Sequence, residues 1–540
     1  MTQGWSINAT ADTITFNEIV PGTSTVVVNE YASGGINATA IWAVGAWGPA
    51  YGYPSVVEFF SDRLCFAATP TDPQGMNASR IGDYTMFGRE TPMIDSDPFA
   101  SVMNARQLNA IVALMAKQDL LAATSGGIWK IGDSAEALTA GTVQSTPQPS
   151  VGSAPLQPLD SGETAIYLTH MGGEVRDLTY TFESDGYAGS DLTAFASHLL
   201  KGKSIVSWAW CPVPWSAVFA VLSDGTFLTM TYKREHQVVA WSRHSTAGGL
   251  YKQVETIPED NQFGVYFAVE RENGTFVERL GNQYVPDWRE WVGDDSALTY
   301  DGRNATATVL TLSGGATVDD EVTITASASL FVASNVGDQI VLHYDSEPVR
   351  ISITARDSAT VVRGYPLSRP LVDADLTPGT SWALAVDNLS GLDHLEGEDV
   401  RCAADGHDLG QYTVASGSIS PSEPVVLAHV GKRKVAEFES LDLMLIGGQP
   451  VSTTQKKISE VSFLMRETNR MEVSVDNGKI WYPLESREDE NMGVPAERKT
   501  IWESIRVGGN WKQDPRVMIR ASGPYAASTL AIQPETEFGS

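Results

Sequence analysis

Along this chain, short apolar runs separated by polar turns are far commoner than helical stripes. The clearest recurring unit is an apolar stretch, a glycine turn and a second apolar stretch. It occurs as LLAATSGGIWKI (Leu120–Ile131), IYLTHMGGEVRDLTY (Ile166–Tyr180), VFAVLSDGTFLTMTY (Val218–Tyr232) and VYFAVERENGTFVERL (Val265–Leu280). Each predicts a β-hairpin, because Gly-Gly, Asp-Gly and Asn-Gly steps supply the positive φ that tight primed turns require. The turn glycines Gly127, Gly173, Gly225 and Gly274 lie 46, 52 and 49 residues apart. An earlier unit, RLCFAAT followed by GDYTMF, places Gly82 another 45 residues upstream. A hairpin period of this length is the pattern of propeller blades. A β-sandwich with evenly spaced hairpins is the competing architecture.

Helix is predicted clearly only at Asp191–Leu200, where Leu192, Phe195, Ala196 and Leu199 share one face, Ser190 or Asp191 caps the start and Gly202 stops it. Leu108, Ile111, Val112 and Met115 fit a helix or a strand equally. From about Ala297 to Ser390, Val322, Ile324 and Ala326 and then Val349, Ile351 and Ile353 alternate strictly with polar residues, which predicts a small separate β-domain. Two further hairpins are expected around Asp476–Gly478 and Ser522–Tyr525. Strands Thr13–Val20 and Thr25–Glu30, joined by Pro21-Gly22, open the chain. The expected fold is all-β with minor helix: a β-propeller core, a β-rich platform and an inserted small β-domain. Its expected parts are N-terminal strands (1–50), propeller-like repeats (51–295), the inserted domain (296–390) and a C-terminal platform (391–540).

Composition narrows the function. Lys and Arg number 37 against 66 Asp and Glu, a net charge of −29 over 540 residues. That balance argues against reading or wrapping nucleic acid, which needs clustered cations, and against docking on an anionic membrane. It is compatible with a channel that lets DNA pass without holding it. The odd, widely spaced Cys65, Cys211 and Cys402 form no CxxC pair and read as core-facing thiols. Met1–Thr10 shows no secretory leader, and the uncharged run Tyr31–Val57 is too rich in Gly and Pro for a membrane helix. The sequence reads as a soluble protein with no membrane-spanning segment.

Candidate chemistry is sparse. No G-x-S-x-G elbow occurs. Gly202-Lys203-Ser204 resembles the end of a phosphate loop, but Ser197 stands where that loop needs glycine. His394, Cys402 and His407, with Asp405 and Asp408 nearby, match no zinc module, and Asp373-x-Asp375 lacks the rest of a calcium loop. His170 with Glu174, and His236 with His244, have no partner set. No catalytic residue, metal or cofactor is therefore expected. Ser474-x-Asp476-x-Gly478-x-x-Trp481 looks like the Asp box of sialidase-type propellers, with Ile480 in place of the usual threonine. It is expected as a hairpin lock, and it motivates an alternative in which a propeller acts on or binds host-surface glycans. Two acidic groups, Asp387, Asp393, Glu396, Glu398 and Asp399, and Glu485, Glu488, Asp489 and Glu490, are expected either as solvated surface or as the acidic wall of a pore.

The order of several segments resembles the tail tubular protein B, or nozzle, family of short-tailed bacteriophages. The likeness is carried by AWGPAYGYPSVVEFFSDRLCFAAT (Ala46–Thr69), GDYTMF (Gly82–Phe87), DSDPF (Asp95–Phe99), RQLNAI (Arg106–Ile111) and DLLAATSGGIWKI (Asp119–Ile131). It continues in RDLTYTFESDGYAGSDLTAFASHLL (Arg176–Leu200), REHQVVAWSRH (Arg234–His244), GLDHLEG (Gly391–Gly397) and LAIQPE (Leu530–Glu535). The resemblance implies a homomeric ring, typically of six copies, at the head–tail junction. Such a ring contacts adaptor or connector proteins and fibres or spikes, and it conducts double-stranded DNA without specific binding. It implies a virion tail protein made in the host cytoplasm. Two departures stand out. A further N-terminal region usual in relatives has no counterpart here, so a separate chain supplies it or the phage does without it. The segment Arg303–Val386 separates motifs that are near neighbours in many relatives, and is expected to be an insert forming a tip or a fibre-docking surface.

Overall fold

The computed structural model describes the backbone of residues 5–8, 13–16 and 24–27, and residues 47–49, 51–88, 94–105, 107–132, 137–148, 150–162, 164–344, 348–442, 445–446, 449–450, 452–468, 470–485 and 498–539. The chain is all-β and forms two compact units, one of residues 1–245 with 249–270, the other of 246–248 with 271–540.

The first unit contains four successive four-stranded antiparallel meanders, spanning Val56–Val102, Ile111–Pro147, Leu159–Ala188 and Ile205–His244, each with its strands in chain order. Strands Gly249–Glu259 and Gln262–Arg271 follow. This is a propeller-like run of blades. Gly127, Gly173 and Gly225 each fall in the turn between the second and third strands of their sheet. Only Gly225, at φ +80°, holds the left-handed conformation itself, since in the third sheet Gly172 takes it at +71°.

Alternation explains the stacking. The inward residues Cys65, Ala67, Met76 and Phe99 of the first sheet meet Ile111, Leu114, Leu120 and Ala122 of the second. The opposite face of the second, with Met115, Leu121 and Ala123, packs on Ala165, Tyr167 and Leu178 of the third. Strands buried on both faces read as continuous apolar runs, as Leu120–Thr124 and Ala217–Leu222 do.

Three local expectations are corrected. Arg63–Ala67 pairs with Gly75–Ala78, not with GDYTMF, and Gly82 lies beyond that strand. The buried Arg63 guanidinium draws in the carbonyls of Ser79, Asp95 and Asp97, so this stretch folds as a loop around it. Asp191–Leu200 is not a ten-residue helix, because only Ser197–Leu200 is helical. The Asp191 carboxylate accepts from the backbone N–H and the hydroxyl of Thr193, the Leu192 carbonyl accepts from Trp241 Nε1, and Phe195 is left fully exposed. A side chain that binds its own backbone competes with the helix ladder. Ser522–Tyr525 is no hairpin, since Met518–Ala521 and Ser528–Phe538 belong to different sheets. Its connection is held by side chains: Ser522 O accepts from Arg401, and Tyr525 packs edge-on against Trp288.

Elsewhere, Ile111–Ala116 is a strand, which decides the ambiguous segment. Thr13–Phe16 pairs antiparallel with both Trp5–Asn8 and Ser24–Val27, while the Pro21-Gly22 connector lies outside the described residues.

The second unit pairs strands across long distances. Asp295–Asp301 lies against Leu427–Lys432, which also pairs with Asp399–Ala404, itself paired with His407–Thr413. Between these partners the chain builds a six-stranded sheet, Leu310 to Ala385, over its own core of Leu310, Ile324, Ile340, Ile351, Val362 and Trp382. The two sheets are joined where Gly302 donates to Val426 O and accepts from Leu384 N, and where Val341, Ala383 and Ala385 pack on Val426. One entry motif occurs in both. A short 3-10 turn (Ala333–Asn335, Asp393–Leu395) leads to a positive-φ glycine (Gly337, Gly397) and a strand. Gly337 N bonds Ile353 O while Ile353 N bonds Asp338 O, and Gly397 N, Val414 O, Val414 N and Glu398 O repeat that pattern. In the C-terminal region a sheet including Lys456–Arg466 and another including Arg470–Ser474 share a core of Ile458, Val461, Phe463, Met471 and Val473.

Candidate functional surfaces

The Asp-box motif folds as the lock its residues predict. Strands Arg470–Ser474 and Tyr482–Glu485 pair as a hairpin. At its turn, Asp476 Oδ1 accepts from Ser474 Oγ (2.8 Å) and from the backbone of Lys479 and Ile480 (both 3.0 Å). Those bonds hold the Asp476 carboxyl below its usual range. Gly478 sits at φ +76° against the Trp481 ring, which the Arg520 guanidinium covers at 4.1 Å. Arg520 is in turn paired with Glu472. Ser474 Oγ and Asp476 Oδ1 are both spent on the turn, so the arrangement does structural chemistry.

The acidic residues singled out in the sequence are placed differently from one another. Asp387 and Asp393 are exposed. Glu396 is also exposed but caps a turn, accepting from Ser416 N (2.9 Å) and Gly417 N (2.7 Å). Glu398 pairs with Lys432 at 2.8 Å, and Asp399 accepts from Thr413 Oγ1. Glu485 ends a strand opposite Arg470, and Glu488, Asp489 and Glu490 lie outside the described residues. The ligand-type residues do not converge: among the described residues no three His, Cys, Asp or Glu are grouped for a metal. His394 Nε2 bonds Ser296 O, and Asp405 accepts from Val426 N, Leu427 N and the Tyr344 hydroxyl. Asp375 bonds Arg369 and His343. All three cysteines are buried, and burial pushes the Cys65 and Cys402 thiols up to about 12, which leaves them unreactive at neutral pH.

What sequence reading missed is a set of buried charges joining distant segments of the second unit. Arg401 and Asp294, both almost wholly buried, form a two-bond pair, and Arg401 also donates to Ser522 O. Burial raises the Asp294 carboxyl against the pull of Arg401. Nearby, Arg303 binds Asp301, Glu290 and Asp287, while Arg289 binds Asp287 and stacks 4.5 Å over Tyr344. His429 Nε2 donates to Arg289 O at 2.8 Å, so Nδ1 is the acceptor for the Thr299 hydroxyl at 2.8 Å. This tautomer leaves His429 satisfied when neutral, and burial lowers its pKa below the ordinary value. A sialidase-type site needs arginines free for a substrate carboxylate. Here Arg289, Arg303 and Arg350 each contact a carboxylate of the chain itself. No local pattern announces the long-range members of this set: Asp294 lies 107 residues from Arg401 and Thr299 lies 130 from His429.

No family model and no curated protein matches the chain. Among solved structures it matches an exo-β-1,3-galactanase from Phanerochaete chrysosporium bound to galactose, at 9% identity and a TM-score of 0.18, over 77% of this chain and 92% of that one. A likeness at that level assigns neither a site nor an activity. The β-propeller-like, all-β architecture rests on the sheet order itself.

Proposed function

We propose that this protein is a structural subunit of a short-tailed phage virion, a tail-tube or nozzle component that assembles into a ring, contacts adaptor and fibre or spike proteins, and conducts genomic DNA during ejection. The observation that carries this reading is that the resembling segments lock onto one another. Arg63 of the RLCF segment binds the carbonyls of Asp95 and Asp97 in DSDPF. Asp177 of RDLTY bonds the backbone of Ser190 in GSDL and the Tyr232 hydroxyl just ahead of REHQVVAWSRH. Trp241 of that last segment donates to Leu192 in DLTAF at 2.8 Å. The Arg63 and Asp177–Ser190 contacts thus close loops within one sheet, while the Tyr232 and Trp241 bonds tie the fourth sheet to the third and to the loop that follows it, which supports the reading. The excess of acid, −29 per copy, supports a lumen that repels DNA.

The test is electron microscopy of the purified chain, alone and mixed with tail-less phage heads. The expected result is a ring with a central hole, in either sample. A monomer that ignores the heads overturns the reading. The second reading, a propeller acting on or binding host-surface glycans, rests on the Asp-box hairpin. Hydrolysis of bacterial polysaccharide that is lost on mutating one acid would replace the structural role with that one.

A further inference from the structure

In the first unit, the turns at one end of the third and fourth sheets enclose an open groove of ≈ 790 Å3, lined by Met171–Gly173, Ser197, His198, Leu200–Ser204 and Ser223. Among the described residues no carboxylate lines it, although acids outnumber bases 66 to 37 in the chain. The acids flanking it in sequence are engaged: Asp224 is bound by Lys203 at 2.6 Å and Glu174 by Arg176 at 3.4 Å. Burial raises the Asp224 carboxyl, and bonds from Lys203 and Thr226 more than reverse this, to about 2, so the Lys203 ammonium is held in place at neutral pH. Lys201 and His198 stand exposed on the same rim with no carboxylate partner among the described residues. The floor is bare. At Gly172, Gly173 and Gly202 a Cβ would meet no atom within 4 Å, and Met171 beside them is 91% exposed.

We infer that this groove takes a carboxylate-bearing segment of a second copy of the chain, which deepens the ring reading above and rests on it. Charge complementarity selects the occupant: a concave surface on which Lys201 has no carboxylate partner among the described residues, beside His198 and the Asp224-paired Lys203, on a molecule whose exposed acids include Asp387 and Asp393. A groove on one copy holding an acidic segment of the next is a heterologous contact, the kind that closes a ring. Duplex DNA fits less well. Tight phosphate-backbone binding uses about 6–10 cationic contacts, and this rim offers Lys201, His198 and the Asp224-paired Lys203.

The experiment measures self-association of the full-length chain by mass photometry across a concentration series, for wild type, Lys201→Glu, Gly173→Glu and Lys201→Arg. Both glutamates enter open space, and circular dichroism checks that each variant folds. The expected result is self-association weakened about tenfold by either glutamate, retained by arginine, and weakened for wild type when salt is raised to about 0.5 M, since exposed pairs are screened. Wild-type rings that persist unchanged in both glutamate variants overturn this inference and leave the ring reading standing. A wild type that never self-associates overturns both. Loss of binding to a short DNA duplex in Lys201→Glu, with the oligomer intact, assigns the groove to phosphate instead.

Discussion

In the unit that runs to Glu270, each strand of the four four-stranded sheets pairs with its neighbour in sequence, and the sheets stack through apolar faces. In the unit that starts at Arg271, Asp295–Asp301 waits for Leu427–Lys432, and buried charges join segments just as remote. The buried cations show the contrast. Arg63 is fully buried and bonded to backbone carbonyls within 34 residues, whereas Arg401 is buried against a carboxylate 107 residues away. Carbonyl ligands come with the local fold. An ion pair requires both partners to arrive, and each alone is costly to bury. The difference teaches that the first unit is specified by repetition and the second by a few long-range commitments.

That contrast can be broken most sharply at Arg401. Arg401→Ala strands Asp294 in the core and is expected to destabilise the second unit by about 3–5 kcal/mol. The double change Arg401→Met with Asp294→Leu is expected to recover most of that loss. Denaturant unfolding followed by limited proteolysis assigns the effect to a unit, and a loss below about 1 kcal/mol would show the pair to be incidental.

In the first unit, truncation of the apolar stacking is the matching perturbation. Leu121, fully buried between the second and third sheets, costs about 3 kcal/mol as Leu121→Ala. Hydrogen exchange is expected to rise in those sheets and to leave Asp399–Ala404 unchanged. Exchange rising in both units alike would mean that they unfold as one.

The smallest effect is a pH dependence confined to the second unit. The folded state holds His429 below its ordinary pKa, so between the folded and unfolded values the unfolded chain binds more protons and stability rises with pH. The contribution is complete above about 6.5 and is lost as pH falls below it. Asp294, Asp301 and Glu290 pull the other way and limit the loss. Melting of wild type and His429→Gln at pH 7.5 and 5.5 checks this: the wild type should lose more on acidification, and equal losses would remove His429 from the account.

What the sequence determined by itself was whatever lies within one hairpin. The glycine turns at 127, 173 and 225, the strand runs beside them, the alternating strands at 322–326 and 349–353, and the turn lock at Ser474–Trp481 were all legible. Each depends on φ preferences and on a two-residue apolar period, properties of some fifteen consecutive residues. Where local reading failed, a distant side chain had taken over a backbone group: Trp241 on the Leu192 carbonyl, Arg63 on the Asp95 and Asp97 carbonyls, Arg401 on the Ser522 carbonyl. Only the tertiary structure decided which acids are engaged, as Glu396 and Glu398 are, and which stay free to face solvent or a partner. Only it brought Gly173, Lys201 and Ser223 to one groove. Sequence encodes the type and place of a charge, but its free energy depends on burial and on the groups that the fold brings within a few ångströms, and those are set by pairings that span the chain.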